Sequence, residues 1–370
     1  MRSSLKALFA SFELFLAVAA SPTHKRSVCP QVSGDIFFNN QFQLYPAYYR
    51  WDSQRCVLYL SAIYNATVVV WDPYTSVIQR VISFPGLSHA GSAVSDKRLS
   101  GLLIDPTNNI LSGVVEAEEF FLTGGNDVSG DNFVVKVDLN TFEVINEVNL
   151  TATTKGQYGA FLDLDNGIDD GIYVNGGYPS SLLRVDSNNE VTPYYVSEPT
   201  TAPREFGFGG VVLFENKLIA NDNAHSELVS FTLGGAYGTP VVIPQEGNHR
   251  NFSAGSALSF PMRYGGKVLL QAETDNEQKT TGVSVFVSMD CWNTAKFVGF
   301  LESVDRKLQP ASVAISQTTA RDVGDRIYSS VLFYDNTANP SMAGNRSDFA
   351  LRDITDSVDA LLLSAGQAIW

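Results

Sequence analysis

Short apolar runs recur along the chain, each after a rim of basic or aromatic residues. Six of them begin at residues 48, 101, 159, 210, 255 and 311. Their spacing is slightly longer than the ~40 to 50 residues of familiar propeller blades. Further runs rich in β-branched and aromatic residues follow, as four-stranded blades require. The pattern therefore predicts an all-β fold, a six-bladed β-propeller.

The arrangement of runs within and around the units supports this prediction. Residues 34–38 precede the first unit, and we expect them to pair with the last blade, because closing the ring removes exposed sheet edges. An irregular β-sandwich also contains alternating strands. Six comparable units and the scarcity of helical patterns favour the propeller. Only 351–363 has the apolar spacing of a helix.

The N-terminal residues have the composition of a targeting segment. Arg2 and Lys6 flank an apolar stretch that ends in small residues, which predicts a signal peptide over 1–20. Residues 21–26 end in a dibasic pair and form a candidate short propeptide, which leaves 27–370 as a single propeller domain. Glu13 lies inside the apolar stretch, so a cytosolic product or a retained anchor stays an alternative. No later apolar run is long enough to span a membrane.

Sequons and cysteines agree with passage through the secretory pathway. Glycosylation is predicted at four Asn-X-Ser/Thr sequons, Asn65, Asn149, Asn251 and Asn345. We therefore expect a secreted or secretory-lumen protein, with a vesicle or the cytosol as the alternative. The three cysteines allow at most one bridge. Cys29 bonded to Cys56 would pin the N-terminal strand to the first blade, or else these two and Cys291 are buried small hydrophobes.

The net charge of the chain limits the classes of partner that it can bind. The formal net charge is −14 at pH 7, and removal of the basic leader makes it more negative. Nucleic acid and anionic membranes are therefore excluded as general partners. A closed ring of blades leaves no sheet edge to pair, so a monomer is expected.

Loops at one end of the propeller channel predict a binding site. The loops that precede the innermost strands carry basic and aromatic candidates for ligand binding, namely Tyr48, Arg50, Arg98, Tyr158, Arg204, Phe206 and Arg250. The ends of the second strands, which meet the same face, carry candidate acids and bases, namely Glu116, Glu273 and Asp222. His89 and His249 are candidate proton carriers. Taken singly, each residue is better explained by the ordinary polarity of loops or by a salt bridge between blades, but the set predicts a ligand site.

Cofactor motifs are missing from the sequence. The chain contains no Gly-X-Ser-X-Gly elbow, no glycine-rich nucleotide loop and no His-Glu-X-X-His zinc motif. We therefore expect no cofactor and no metal. A divalent cation held by Glu116, Asn175, Asn221 and Glu273, as in lactonase-type propellers, is an alternative by analogy of architecture alone.

Three segments carry a resemblance to a known family. Together with the leader and the length, residues 101–109, 135–141 and 171–178 resemble the fungal core trichothecene-cluster protein fourteen family. That family is similar to a secreted yeast skin allergen, a six-bladed propeller with a lipid-binding pocket. The resemblance implies a virulence-linked accessory role in making or deploying a sesquiterpenoid toxin.

The leading hypothesis is that the channel binds an oxygenated sesquiterpene and closes a ring by acid–base chemistry. An acid would help an allylic hydroxyl leave, and aromatic rings would shelter the developing cation. One rival is a secreted propeller that binds a small apolar ligand, a toxin or a host target without reaction. The other is a lactonase-like metal-dependent hydrolase.

Overall fold

Six small sheets form the blades of the propeller. The structure is a computed structural model that describes residues 29–89, 96–275, 280–309, 314–339 and 342–367. Each blade is antiparallel apart from one short parallel edge strand in the fifth. The predicted all-β, six-bladed architecture is confirmed. The predicted signal peptide and propeptide lie outside the described residues.

The first strand, β1 (Ile36–Phe38), precedes the blades. Blade I contains β2 (Pro46–Asp52), β3 (Val57–Ala62), β4 (Thr67–Asp72) and β5 (Val77–Ser83). Blade II contains β6 (Lys97–Asp105), β7 (Ile110–Ala117), β8 (Phe133–Asp138) and β9 (Glu143–Asn149). Blade III contains β10 (Gly159–Asn166), β11 (Ile172–Tyr178), β12 (Ser180–Val185) and β13 (Val191–Val196).

The second half of the ring repeats this order. Blade IV contains β14 (Phe208–Phe214), β15 (Lys217–Asp222), β16 (Glu227–Thr232) and β17 (Val241–Ile243). Blade V contains β18 (Gln245–Glu246), β19 (Gly255–Ser259), β20 (Val268–Asp275), β21 (Thr280–Val287) and β22 (Ala295–Glu302). Blade VI contains β23 (Ala314–Val323), β24 (Arg326–Tyr334), β25 (Phe349–Asp353) and β1.

Short helices join some of the strands. They are α1 (Glu119–Thr123), α2 (Thr151–Thr154), α3 (Val304–Leu308) and α4 (Thr355–Ser364), with 3-10 turns at Ile63–Asn65 and Met262–Tyr264. The helix predicted over 351–363 starts later, because Leu351 belongs to β25 and pairs with Ile36 of β1. Within the described residues, no helix is long and apolar enough to cross a membrane.

The N-terminal segment closes the ring as expected. β1 pairs antiparallel with β25, and its Ile36 and Phe38 are buried while Phe37 between them is half exposed. This alternation is that of an outermost strand with one face on the core. A disulfide joins Cys29 to Cys56, directly before β3, so the N-terminal segment is also tied to blade I. Cys291 is a free, exposed thiol, so the alternative of three buried cysteines was wrong.

Apolar side chains from adjacent blades form the core. All six residues of β3 are buried, whereas six of the seven residues of β5, the outermost strand of the same blade, are exposed. Between blades I and II, for example, Val68 and Val70 pack in one cluster with Leu99 and Leu102. Because inner strands are covered on both faces, they read as continuous apolar runs. That is the signal that made the blades visible in the sequence.

Candidate functional site

The innermost strand of each blade fixes the two ends of the channel. These strands are β2, β6, β10, β14, β19 and β23. We call the end at which they begin the upper face. The antiparallel second strands end on this same face. Side chains from two positions in every blade therefore meet there, as the sequence analysis expected.

A cavity of about 260 Å³ opens on this upper face. We call it the upper cavity. Its wall contains one carboxyl group among the described lining residues, that of Glu116, and several aromatic side chains, namely Tyr48, Phe120, Phe121, Tyr178, Phe206 and Tyr334. Pockets for drug-sized ligands typically measure ~300 to 1,000 Å³. The upper cavity is therefore suited to a small, largely apolar molecule.

Helix α1 supplies part of the aromatic wall. Phe121 stacks on Tyr334 of blade VI, with ring centroids 5.7 Å apart. Phe120 contacts Tyr178 at 6.3 Å, and Tyr178 in turn contacts Phe206 at 5.2 Å. These rings come from blades II, III and VI and from the loop before blade IV. Their negative π faces can stabilise a cation held between them.

Glu116 is the acid of the upper cavity. Its side chain lies on β7 opposite Arg98 of β6, and the residue is 1% exposed. Its Oε2 has no hydrogen-bond partner among the described residues. Burial raises the pKa of Glu116 from 4.5 to about 8, although Arg98 and a hydrogen bond with Ser100 oppose the rise. The carboxyl group is therefore mainly protonated at neutral pH and can donate a proton into the cavity.

Arg98 lies behind Glu116 and not in the cavity wall. It is 1% exposed, and its guanidinium lies 4.0 Å from the ring centroid of Phe121 and 4.7 Å from that of Tyr64. Its Nη2 also contacts Glu118 Oε1 at 3.5 Å. The arginine thus holds one wall of the cavity in place and brings a positive charge close to the acid.

Two polar contacts cross the middle of the channel. The Tyr48 hydroxyl lies 3.1 Å from Ser256 Oγ, which joins blades I and V. Arg321 Nη2 donates to Asp163 Oδ2 at 2.8 Å, which joins blade VI to blade III on the opposite side of the ring. Asp163 is fully buried, and burial raises its pKa despite the neighbouring arginines. Of these four residues, Tyr48 and Ser256 line the upper cavity.

Comparison with known proteins identifies the family of this propeller. The chain is 38% identical over 341 residues to "Trichothecene biosynthesis protein 14" of Trichoderma arundinaceum, covering 90% of this chain and 92% of that protein. It is 37% identical over 343 residues to "Core trichothecene cluster (CTC) protein 14" of Fusarium sporotrichioides, covering 90% and 88%. The chain belongs to the trichothecene biosynthesis protein 14 family. The resemblance inferred from the sequence is thereby confirmed.

Solved structures similar to this family member agree on the fold. The Malassezia sympodialis allergen Mala s 1 superposes with a TM-score of 0.72 at 20% identity, over 87% of this chain and 96% of the allergen. A luciferin-regenerating enzyme has a TM-score of 0.54 at 9% identity, over 86% and 95%. At these identities the likeness shows the propeller fold alone. No family model matches the chain.

The structure places several of the predicted acids and bases of this family member away from the upper cavity. Glu273 bonds Arg250, Gln271 and Ser284. The ring of His89 lies 2.9 Å from Asp96 at the exposed rim. His249 is exposed, and Asp222 contacts His225, whose pKa it raises. Of the predicted acid–base set, only Glu116 lines the cavity.

The predicted ligand-binding residues divide in the same way. Tyr48 and Phe206 line the upper cavity. The Tyr158 hydroxyl instead donates to Ser197 O at 2.7 Å, and Arg204 donates to the carbonyls of Gly125 and Asn126 after α1. Arg50 lies at the other end of the channel, because it is the fifth residue of β2 and not part of the loop before it.

The residues considered for a divalent cation do not fit one. The Asn175 amide accepts from Asp163 N and donates to Phe208 O, and the Asn221 amide bonds Gly209, Gly210 and Ser256. Their oxygens thus accept backbone N–H groups of their own blade, while their amide nitrogens donate to the next blade. The described part of the chain has no group of three or more His, Cys, Asp or Glu side chains arranged to hold a metal.

Sequence reasoning missed part of the cavity wall. Phe120 and Phe121 come after two glutamates, Glu118 and Glu119, that directly follow β7. The small polar residues Ser100, Thr274, Ser316 and Thr318 also line the cavity. An aromatic pair directly after a second strand was the available signal for the first two. The polar residues carry no local signal, since serine and threonine are common in strands and loops alike.

Proposed function

We propose that this protein acts in trichothecene biosynthesis and that its upper cavity closes a ring in an oxygenated sesquiterpene intermediate without a cofactor. The family membership supports the biosynthetic role, because both curated relatives are named for it. The reaction itself rests on one observation. A buried, protonated carboxyl group with an unpaired oxygen, that of Glu116, lines a cavity walled by aromatic rings.

The reaction begins with acid catalysis. Glu116 donates its proton to an allylic hydroxyl of the substrate, and the C–O bond breaks to release water. The resulting allylic cation lies between aromatic rings such as Phe121 and Tyr334, which stabilise it through their π faces. Burial makes this transfer effective, because a pKa of about 8 keeps the acid protonated near neutral pH.

The ring then closes by attack of a second hydroxyl. Its oxygen forms a bond to the cation, and its proton passes to the Glu116 carboxylate, which restores the acid. The balance is one cyclic ether and one water from one polyol, with no change in oxidation state. The cavity wall contributes by holding the attacking hydroxyl close to the cation and by excluding other water.

Mass spectrometry tests the proposal directly. The purified chain is incubated with the oxygenated sesquiterpene triol of the trichothecene pathway, beside buffer and heat-denatured protein. We expect faster loss of one water to give the tricyclic ether. Unchanged substrate at every protein concentration would contradict the reaction.

Binding without reaction is the second candidate. It is favoured by the upper cavity itself, whose walls are mostly apolar and contain no second carboxyl group among the described lining residues. In the same assay, a ligand that co-purifies with the folded chain at one equivalent, without conversion, would support it. The metal-dependent hydrolase has no comparable support, since Asn175 and Asn221 are engaged between blades.

Export remains part of the proposal. Of the four sequons, Asn251 and Asn345 are exposed, whereas Asn65 and Asn149 are half-buried. We propose that the first two carry glycans on a protein that enters the secretory pathway. Treatment of the protein from its native source with an N-glycosidase should lower its mass. An unchanged mass, together with an intact residue 1–20 segment, would favour the cytosol.

A further inference from the structure

A second cavity opens at the other end of the channel, which we call the lower face. It measures about 410 Å³ and lies where the innermost strands end. It shares no lining residue with the upper cavity among the described residues, and the Arg321–Asp163 contact lies at the middle of the channel between them. We call it the lower cavity. The function proposed above makes no use of it.

Arg50 gives this cavity a binding group. It lies on β2, half-buried in the cavity wall, and its guanidinium makes no hydrogen bond or ion pair with any other residue that the structure describes. Burial, and then the proximity of Arg321, lower the pKa of Arg50 to about 10, so the guanidinium is still charged at neutral pH. A charged guanidinium carries five N–H donors in a planar fork. Those donors are free to bind a ligand.

A second guanidinium lies nearby. Arg321 is 9% exposed and uses Nη2 to bond Asp163 and Nε to bond Thr319 Oγ1. Its Nη1 has no hydrogen-bond partner among the described residues. Two arginines on adjacent innermost strands, β2 and β23, therefore line one cavity. A planar anion matches this arrangement, because a carboxylate accepts two parallel N–H bonds from one guanidinium.

Two acids limit the charge that the ligand can carry. Asp165 accepts backbone N–H bonds from Asn166 at 2.8 Å and Leu213 at 2.9 Å, and Asp322 accepts one from Met262 at 2.9 Å. Both line the lower cavity and would repel a dianion. The remaining wall is mostly apolar, with Trp51 and Phe260 among its members and two serines beside them, Ser53 and Ser259. A single carboxylate on an apolar body therefore fits better than phosphate.

We propose that the lower cavity binds a monocarboxylate with a small apolar body, whose carboxylate accepts hydrogen bonds from Arg50. The apolar part packs against Trp51 and Phe260. This site goes beyond the ring closure assigned to the upper cavity and does not rest on it.

Calorimetric titration of the full chain with three related probes tests the ligand class. Phenylacetate carries one charge, phenylacetamide carries none and phenylmalonate carries two. We expect phenylacetate to bind at least about tenfold more tightly than phenylacetamide, since charge-assisted hydrogen bonds are lost in the amide. Phenylmalonate should bind more weakly than phenylacetate. Equal affinity of the acid and the amide, tighter binding of the dianion, or no binding at millimolar concentration would overturn the proposal.

Substitutions locate the site. Arg50→Gln should weaken phenylacetate binding about tenfold or more, while Arg50→Lys should recover part of it. Asp322→Asn should tighten binding a few-fold, because it removes a repelling charge. Because Asp322→Asn should change the affinity in the opposite direction, this variant still tests the proposal if Arg50→Gln does not fold. Glu116→Gln should bind phenylacetate unchanged. If that variant loses binding while Arg50→Gln keeps it, the probe occupies the upper cavity and the proposal is wrong.

Discussion

Two glutamates near the ends of second strands differ in their hydrogen-bond partners in this propeller. Glu116 on β7 and Glu273 on β20 are each 1% exposed. Each also lies near an arginine that packs on a phenylalanine ring, Arg98 on Phe121 and Arg250 on Phe300. Yet Glu116 Oε2 is unpaired in the upper cavity, whereas both oxygens of Glu273 accept hydrogen bonds. A place near the end of a second strand therefore does not by itself decide whether a carboxyl group is paired or lines the cavity.

The two glutamates differ in their environments because β7 and β20 are shifted by one residue relative to the upper cavity. In β20 it is Thr274, the neighbour of Glu273, that lines the upper cavity, whereas in β7 it is Glu116 itself. Successive side chains of a strand point to opposite faces, so a shift of one residue reverses the direction of a side chain. Glu273 therefore meets Gln271 and Ser284 inside blade V. It is a structural acid, and Glu116 is the candidate catalyst.

The largest expected effect is on turnover. Glu116→Gln keeps the shape of the side chain but cannot transfer a proton, so conversion of the sesquiterpene triol should fall by about 10²- to 10⁴-fold. Glu273→Gln is the matched control and should retain most of its turnover. Both rates are measured by mass spectrometry at a temperature where both variants are folded. Comparable losses in the two variants would remove the distinction between the glutamates.

The second effect is on stability, and it reverses the order of the two variants. Glu273→Gln leaves the partly buried charge of Arg250 without its carboxylate, which should lower the free energy of unfolding by about 3 kcal/mol. Glu116→Gln replaces a protonated carboxyl group and should cost much less. Urea denaturation of both variants measures the difference. Equal destabilisation would show that Glu273 is no more important to the fold than Glu116.

The fold was predictable because its signals repeat. Inner strands such as β3 are buried throughout and appear as apolar runs, and β1 alternates around Phe37 as an outermost strand should. Six repeats average out local irregularities, so errors of a few residues in any one strand did not change the architecture. The innermost strand of blade II, for example, begins at Lys97 and not at residue 101, but this error did not change the number of blades.

The site was predictable only as a face of the propeller. Sequence placed Glu116, Tyr48 and Phe206 together at one end of the channel, and all three line the upper cavity there. Sequence also placed Glu273 in this set. The register between an innermost strand and the second strand depends on β-bulges, and their positions cannot be seen in the sequence to within one residue. Arg250 and Arg204 looked like ligand-binding residues because a charged side chain gives no sign of the partner that occupies it.

A third test uses the raised pKa of Glu116. Because burial raises this pKa from 4.5 to about 8, the folded protein binds the proton more tightly than the unfolded chain. The associated stability is fully present below pH 4.5 and is lost as the pH rises through about 8. Relative to Glu116→Gln, the free energy of unfolding should therefore fall by about 1 kcal/mol per pH unit between pH 5 and pH 8. Denaturation across this range measures it, and parallel curves would contradict a buried, protonated acid.

The smallest expected effect separates the two phenylalanines. Phe121 stacks on Tyr334 and carries Arg98, so Phe121→Leu removes one wall of the upper cavity and should lower turnover about tenfold. Phe300 lies under Arg250, away from the upper cavity, so Phe300→Leu should cost about 1 kcal/mol of stability and leave turnover unchanged. Steady-state kinetics and urea denaturation of both variants make the comparison. If Phe300→Leu slows turnover as much as Phe121→Leu does, the ring of Phe121 acts through packing alone, because only one of the two rings touches the cavity.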